Sequence, residues 1–189
     1  MEADYEALIA PFIDVVFYIT SEFAEERPDG QGGIRYHKGL DIATPSELGN
    51  VEVFSVCDGV VVGNYWDENG YGNYCIMRGD DGMGYLYAHL EEINVVPNQR
   101  IEVGELIGLE GTTGSSTGIH LHFEMQYIGN GSWNFSAPIG SYENPADFMG
   151  VPNEEGISIY YDGVPKYKKK KKRGFPWVLY ARKLRNRRF

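Results

Sequence analysis

The sequence predicts a mainly β fold, a compact arrangement of antiparallel strands. Three features carry that expectation. Apolar residues alternate in short runs, glycine (24) and tyrosine (14) are abundant among the 189 residues, and long helical patterns are scarce. Alternation with period two buries one face of a strand, and glycine marks the turns between strands. The length suits one domain with an extension, and it can bury a core without disulfide staples.

Taken in order, FIDVVFYIT (12–20) reads as a strand, and SEFAEERPDGQGGIR (21–35) as a charged, glycine-rich loop. YHKGLDIATP (36–45) reads as extended and is stopped by Pro45. VEVFSVCDGVVVGNYW (51–66) predicts two strands around an Asp58-Gly59 hairpin turn. GNYCIMRGDDGMGYLYAHL (72–90) predicts another pair, turning at Asp80-Asp81-Gly82, and QRIEVGELIGLEG (99–111) two short strands around Val103-Gly104. GTTGSSTG is a loop leading into the strand HLHFEMQY (120–127). NPADFM (144–149) reads as one closing helical turn with Asn144 as cap and Pro145 first. GISIYYDGVPKY (156–167) predicts a hairpin at Asp162-Gly163. A boundary near 150–155 divides a domain at 1–150 from a basic, aromatic-containing extension at 151–189.

Charge follows the same division. Residues 166–189 hold 12 of the 17 Lys+Arg and no acids, so residues 1–165 carry 5 basic and 27 acidic side chains, a formal −22. A body this acidic repels nucleic acid, which is therefore disfavoured as a partner. The basic tail suits docking on an anionic wall polymer, a membrane surface or a protein partner. No apolar run approaches the roughly 20 residues that span a bilayer. The N-terminal MEADYEALIAPFIDVV has acids where an export signal needs lysine or arginine. That suits release by a phage or mobile element, or a leader lying outside this sequence. Cys57 and Cys75 sit in strand-like runs without a CxxC partner and read as buried free thiols.

The chemistry concentrates in four histidines. In IHLHFEM, His120 and His122 are next-but-one neighbours on a strand, so both face the same side, about 7 Å apart. His37 and Asp41 form a second same-face pair on the extended HKGLD, and His89 ends GYLYAHL. A catalytic zinc takes three His or carboxylate ligands and keeps one position open. Four histidines and one aspartate are enough for three ligands and two acid/base groups. Spacing alone leaves open which histidine does which.

HKGLD, YAHL and TGSSTGIHLHFE resemble, in order and approximate distance, the three signature blocks of the M23 (lysostaphin/LytM-type) zinc peptidases. DGVVV, GYGNY, VGELIGLEGTTG and NPADFM resemble the intervening and closing pieces, so the likeness covers about residues 15–150. It implies a compact antiparallel β-sheet peptidase of lysostaphin type with an open groove. It also implies one zinc ion held by His37, Asp41 and His122, with His89 and His120 as the catalytic pair near the attacking water and the oxyanion. Asn73 would line the substrate groove. Ile119 stands where the family usually has proline, which alters the groove wall rather than the metal site.

The expected activity is a zinc metalloendopeptidase hydrolysing peptide bonds in peptidoglycan stems or cross-bridges, acting at the bacterial cell wall. Two alternatives stand beside it: a non-catalytic wall-binding or regulatory module on the same fold, and a zinc peptidase aimed at a glycine-rich protein. TTGSSTG lacks the Gly-Lys-Ser/Thr ending of a phosphate loop.

Overall fold

The computed structural model describes residues 3–165. The chain begins with β1 (Tyr5–Glu6), β2 (Val16–Ser21), β3 (Glu26–Pro28), β4 (Ile34–Tyr36) and β5 (Leu40–Ala43). There follow β6 (Glu52–Phe54), β7 (Gly59–Asp67), β8 (Gly72–Gly79), β9 (Met83–Leu90), β10 (Glu92–Ile93), β11 (Arg100–Ile101) and β12 (Leu106–Leu109). β13 (Leu121–Tyr127), β14 (Tyr142–Glu143), the helix α1 (Pro145–Met149) and β15 (Ser158–Tyr160) complete it.

Ten strands form one sheet in the order β1-β15-β2-β5-β13-β9-β8-β7-β11, with β14 beside β13. Within it only β1 and β15 run parallel. A second sheet has the order β10-β12-β6, and β3 and β4 form a separate two-stranded ribbon. The fold is mainly β and antiparallel, as its alternation predicts.

Period-two burial explains the core. On β13, Leu121, Phe123 and Met125 point into the main cluster with Leu40 and Ile42 of β5 and Tyr85 and Tyr87 of β9. The other face of β9 is also covered: Leu86 and Ala88 lie under Tyr71, Tyr74 and Trp133. All eight residues of β9 are therefore buried. Cys57 and Cys75 are buried free thiols, and burial pushes the Cys75 thiol up to about 12.

Two predicted turns connect strands that do not pair with each other. β6 and β7 flank Asp58-Gly59, yet β6 pairs with β12, and β7 with β8 and β11. Asp58 instead accepts a hydrogen bond from the Val103 N–H at 3.0 Å. β11 and β12, on either side of Val103-Gly104, likewise separate into different sheets. Exchange between sheets lets Val53, Val61, Ile101 and Ile107 share one core. Both edges of β15, which leads toward Asp162-Gly163, are occupied by β1 and β2, which leaves no edge for the predicted hairpin partner. The main sheet thus crosses the boundary drawn near 150–155. Residues 166–189, which carry the basic tail, lie outside the described residues.

The predicted loop 21–35 contains the β3–β4 hairpin, turned by Asp29, whose Oδ1 accepts from the N–H groups of Gln31 (2.7 Å) and Gly33 (2.8 Å). The closing turn forms as predicted, with the Asn144 side chain accepting from the Ala146 N–H. Among the described residues, no helix is long and apolar enough to cross a membrane.

Candidate metal centre

Strand register brings the site together on the face of β13 opposite the core. Asp41 on β5 stands directly across from His122 on one side, and Ala88 on β9 on the other. Alanine leaves room for the imidazole between its neighbours. His37 precedes β5 and is pinned by backbone bonds to Ala24 (2.8 Å) and Glu25 (2.9 Å). Gly39, between them, leaves no room for a side chain. A Cβ there would lie 2.7 Å from His122 Cε1 and 2.7 Å from the Phe123 carbonyl oxygen.

His89 reaches the site by breaking strand alternation. On a regular β9 it would face the core with Tyr87. Its φ of +61° lies in the left-handed region and turns the ring onto the opposite face. Its ring centroid is 4.6 Å from that of His120 and 5.8 Å from that of His122. The displaced backbone is tied down at both ends: the His89 N–H donates to the Tyr71 carbonyl (2.8 Å) and Nδ1 faces the Thr113 carbonyl (2.8 Å).

His37, Asp41 and His122 converge, each offering one ligand atom within 4.8 Å of the others. Asp41 Oδ1 is 2.7 Å from His122 Nδ1 and 3.2 Å from His37 Nε2, and those two nitrogens are 3.1 Å apart. The outward nitrogens have acceptors of their own. His37 Nδ1 faces the Glu22 carbonyl at 2.6 Å, and His122 Nε2 faces Glu124 Oε1 at 2.9 Å. With its N–H spent outward, each imidazole can turn a lone pair inward, the arrangement that fixes metal-binding histidines; without an ion, protons on the inward nitrogens serve Asp41 instead. Three electron-pair donors this close repel unless positive charge sits among them. The donor set fits a divalent cation of zinc type.

The titration behaviour expresses the same demand for positive charge. Burial disfavours protonated His122, but the carboxylates of Asp41 and Glu124 outweigh it and push the ring up to about 9. Burial alone would raise the Asp41 carboxyl, yet hydrogen bonds from His122 and His37 hold it well below the usual carboxylate range. His89 goes the other way: burial, aided by the neighbouring His120 and His122, pulls it down to about 4.

His120 sits beside this group, with Nδ1 facing the Gly118 carbonyl (2.9 Å) and Nε2 3.8 Å from Asp41 Oδ1. All five residues border one open groove of about 810 Å³. Asn73 is not among its lining residues. Its carboxamide donates to the carbonyls of Leu90 (3.1 Å) and Glu91 (3.4 Å), and its N–H to Thr113 Oγ1 (2.9 Å). It clamps the loop behind His89.

Sequence reading passed over Glu124 and Tyr71. Glu124 is fully buried and accepts from both His122 and the Tyr71 hydroxyl (2.8 Å). The signal for it was present: H-x-H-x-E extends the same-face alternation of β13 by one more step. Tyr71 carries no such signal, since its ring covers His122 (centroids 5.7 Å apart) only through the tertiary fold.

The model of Peptidase family M23 matches residues 35–134, from just before His37 to beyond Glu124. The chain belongs to this family. The DD-carboxypeptidase/endopeptidase Mpg of Neisseria meningitidis is 38% identical over 95 residues, covering 50% of this chain and 21% of its own. The peptidoglycan DD-endopeptidase ShyB of Vibrio cholerae is 37% identical over 109 residues, 57% of this chain and 24% of its own. The chain thus spans about a fifth to a quarter of these curated relatives. The catalytic domain of lysostaphin from Staphylococcus simulans superposes with a TM-score of 0.59 at 25% identity, over 71% of this chain and 93% of that domain.

Proposed function

We propose that this M23 domain is a zinc endopeptidase that cuts peptide bonds in the stems or cross-bridges of peptidoglycan at the bacterial cell wall. One observation carries the reading: three inward-facing electron-pair donors converge where two further imidazoles, His89 and His120, share an open groove. His37, Asp41 and His122 would hold the ion. Bound zinc supplies Lewis acidity, acidifying water and polarising a peptide carbonyl.

The chain's own groups do the rest. His89 directs Nδ1 at the Thr113 carbonyl, so Nε2 keeps its lone pair, and burial keeps the ring neutral near pH 7. It takes a proton from the attacking water and passes it to the leaving amine. His120 adjoins it and, with Nε2 protonated, would donate to the developing oxyanion, Nδ1 being turned to the Gly118 carbonyl. Asp41 places one negative charge among the ligands. Glu124 and Tyr71 hold His122 in orientation, and Asn73 braces the loop behind His89. The relatives' names, a DD-endopeptidase and a glycyl-glycine endopeptidase, favour wall peptides as substrates. The basic segment 166–189 would add attraction to an anionic wall polymer, membrane surface or protein partner.

The test is metal content and turnover on purified walls and cross-linked stem peptides. His122→Ala should lose the metal, whereas His89→Ala should keep it and lose turnover. Zinc-loaded His89→Ala cleaving at the parent rate would overturn the role assignment. Zinc-loaded parent protein that binds walls yet releases no new amine termini would leave a non-catalytic wall-binding module.

A further inference from the structure

The groove and the acidic body around it, residues 1–165, carry opposite charge. Residues 1–165 hold only five Lys or Arg, and three of them, Arg27, Arg35 and Lys38, line this groove. Among the described residues, the acids that do so are only Asp41 and Glu124. Both of those are already engaged by histidines of the metal cluster. A divalent ion in that cluster would make the groove more positive still.

The three cations differ in how far they are spent. The Arg27 guanidinium is 2.9 Å from Glu25 and 3.6 Å from Asp41 Oδ2, and it hydrogen-bonds Ser21 Oγ, so its charge is largely matched. The Lys38 ammonium donates to the Phe135 carbonyl (2.6 Å) and lies 5.3 Å from the Tyr142 ring centroid, neither of which is an anion. Arg35 is exposed on β4 and is only the smallest of several influences on the Asp29 carboxylate, which is not a groove-lining group and offsets part of the arginine's charge. Arg35 and Lys38 therefore bring positive charge to the mouth of a groove set in an acidic body. Field lines focus into such a cleft and draw anions toward it.

We infer that this groove selects peptides bearing a free carboxylate beside the scissile bond, held by Arg35 and Lys38, over uncharged oligoglycine. The inference rests on the endopeptidase reading and narrows its substrate class.

The test compares a cross-linked stem-peptide dimer with free carboxylates against the same dimer with those carboxylates amidated, using the full zinc-loaded chain. The free form should be favoured in kcat/KM by roughly fivefold, as for a charge pair in a solvent-open site. The preference should shrink as salt is raised, and Arg35→Gln/Lys38→Gln should bring the ratio toward one. Calorimetric binding of both dimers to zinc-loaded His89→Ala reads the preference without turnover. Equal kcat/KM and equal affinity for the two dimers overturn this inference and leave the endopeptidase reading intact. A binding preference for the free form with no cleavage by the parent protein upholds the inference and overturns the endopeptidase reading.

Discussion

Substituting Gly39 by alanine tests whether the close packing of the histidine cluster is as tight as the geometry requires. An added Cβ would sit 2.7 Å from His122 Cε1, 2.8 Å from its Nε2 and 2.7 Å from the Phe123 carbonyl oxygen. Comfortable carbon contacts begin near ~3.5 Å. Neither neighbour can give way cheaply. The ring is held through Asp41 at 2.7 Å and Glu124 at 2.9 Å, and the carbonyl belongs to the central strand β13. Overpacking of this kind costs about 2 kcal/mol, which for a chain this long lowers Tm by roughly 4–8 °C. Because the imidazole must tilt, metal affinity should fall by more than about tenfold as well. Calorimetry of the metal-free protein and competition with a chelating dye read the two effects separately. A Gly39→Ala protein with an unchanged Tm and an unchanged metal affinity would refute the packing argument.

Glu124→Gln keeps the shape but removes the charge behind His122, and it buries an amide N–H₂ at the position of Oε2, which has no hydrogen-bond partner. Metal affinity should drop about 10- to 100-fold by competition titration, and an affinity within twofold of the parent would contradict a role for this carboxylate in orienting the ligand. His89 should stay neutral well below the usual imidazole range, titrating near 4 when followed by NMR in the metal-free protein. Its folded-state value is depressed below the ordinary 6.5, so the stability it contributes is complete above about pH 6.5 and is withdrawn as pH falls toward 4. A midpoint near 6.5 would mean that the ring is solvated rather than turned into the site.

How much of this was legible in the sequence depends on the range of the interactions involved. The strand at 120–127 and the helical turn capped by Asn144 were readable because alternation and capping are local. The β3–β4 hairpin inside the charged loop was missed because its exposed ribbon has no apolar alternation to betray it. The Asp58-Gly59 and Val103-Gly104 turns carry good hairpin chemistry, yet their strands go to different sheets. Turn residues specify a reversal of direction; partner choice depends on which apolar faces can be buried together.

By itself the sequence determined which donors exist and which of them share a face: His120, His122 and Glu124 along one strand, and His37 with Asp41 along another segment. Side-chain direction within a strand follows from backbone geometry alone. Only the tertiary structure decided that Asp41 lies across from His122, that the left-handed backbone of His89 delivers its ring to the same side, and that Arg35 and Lys38 border the groove. Register between strands distant in sequence is set by burial of the common core, an energy that no single segment contains.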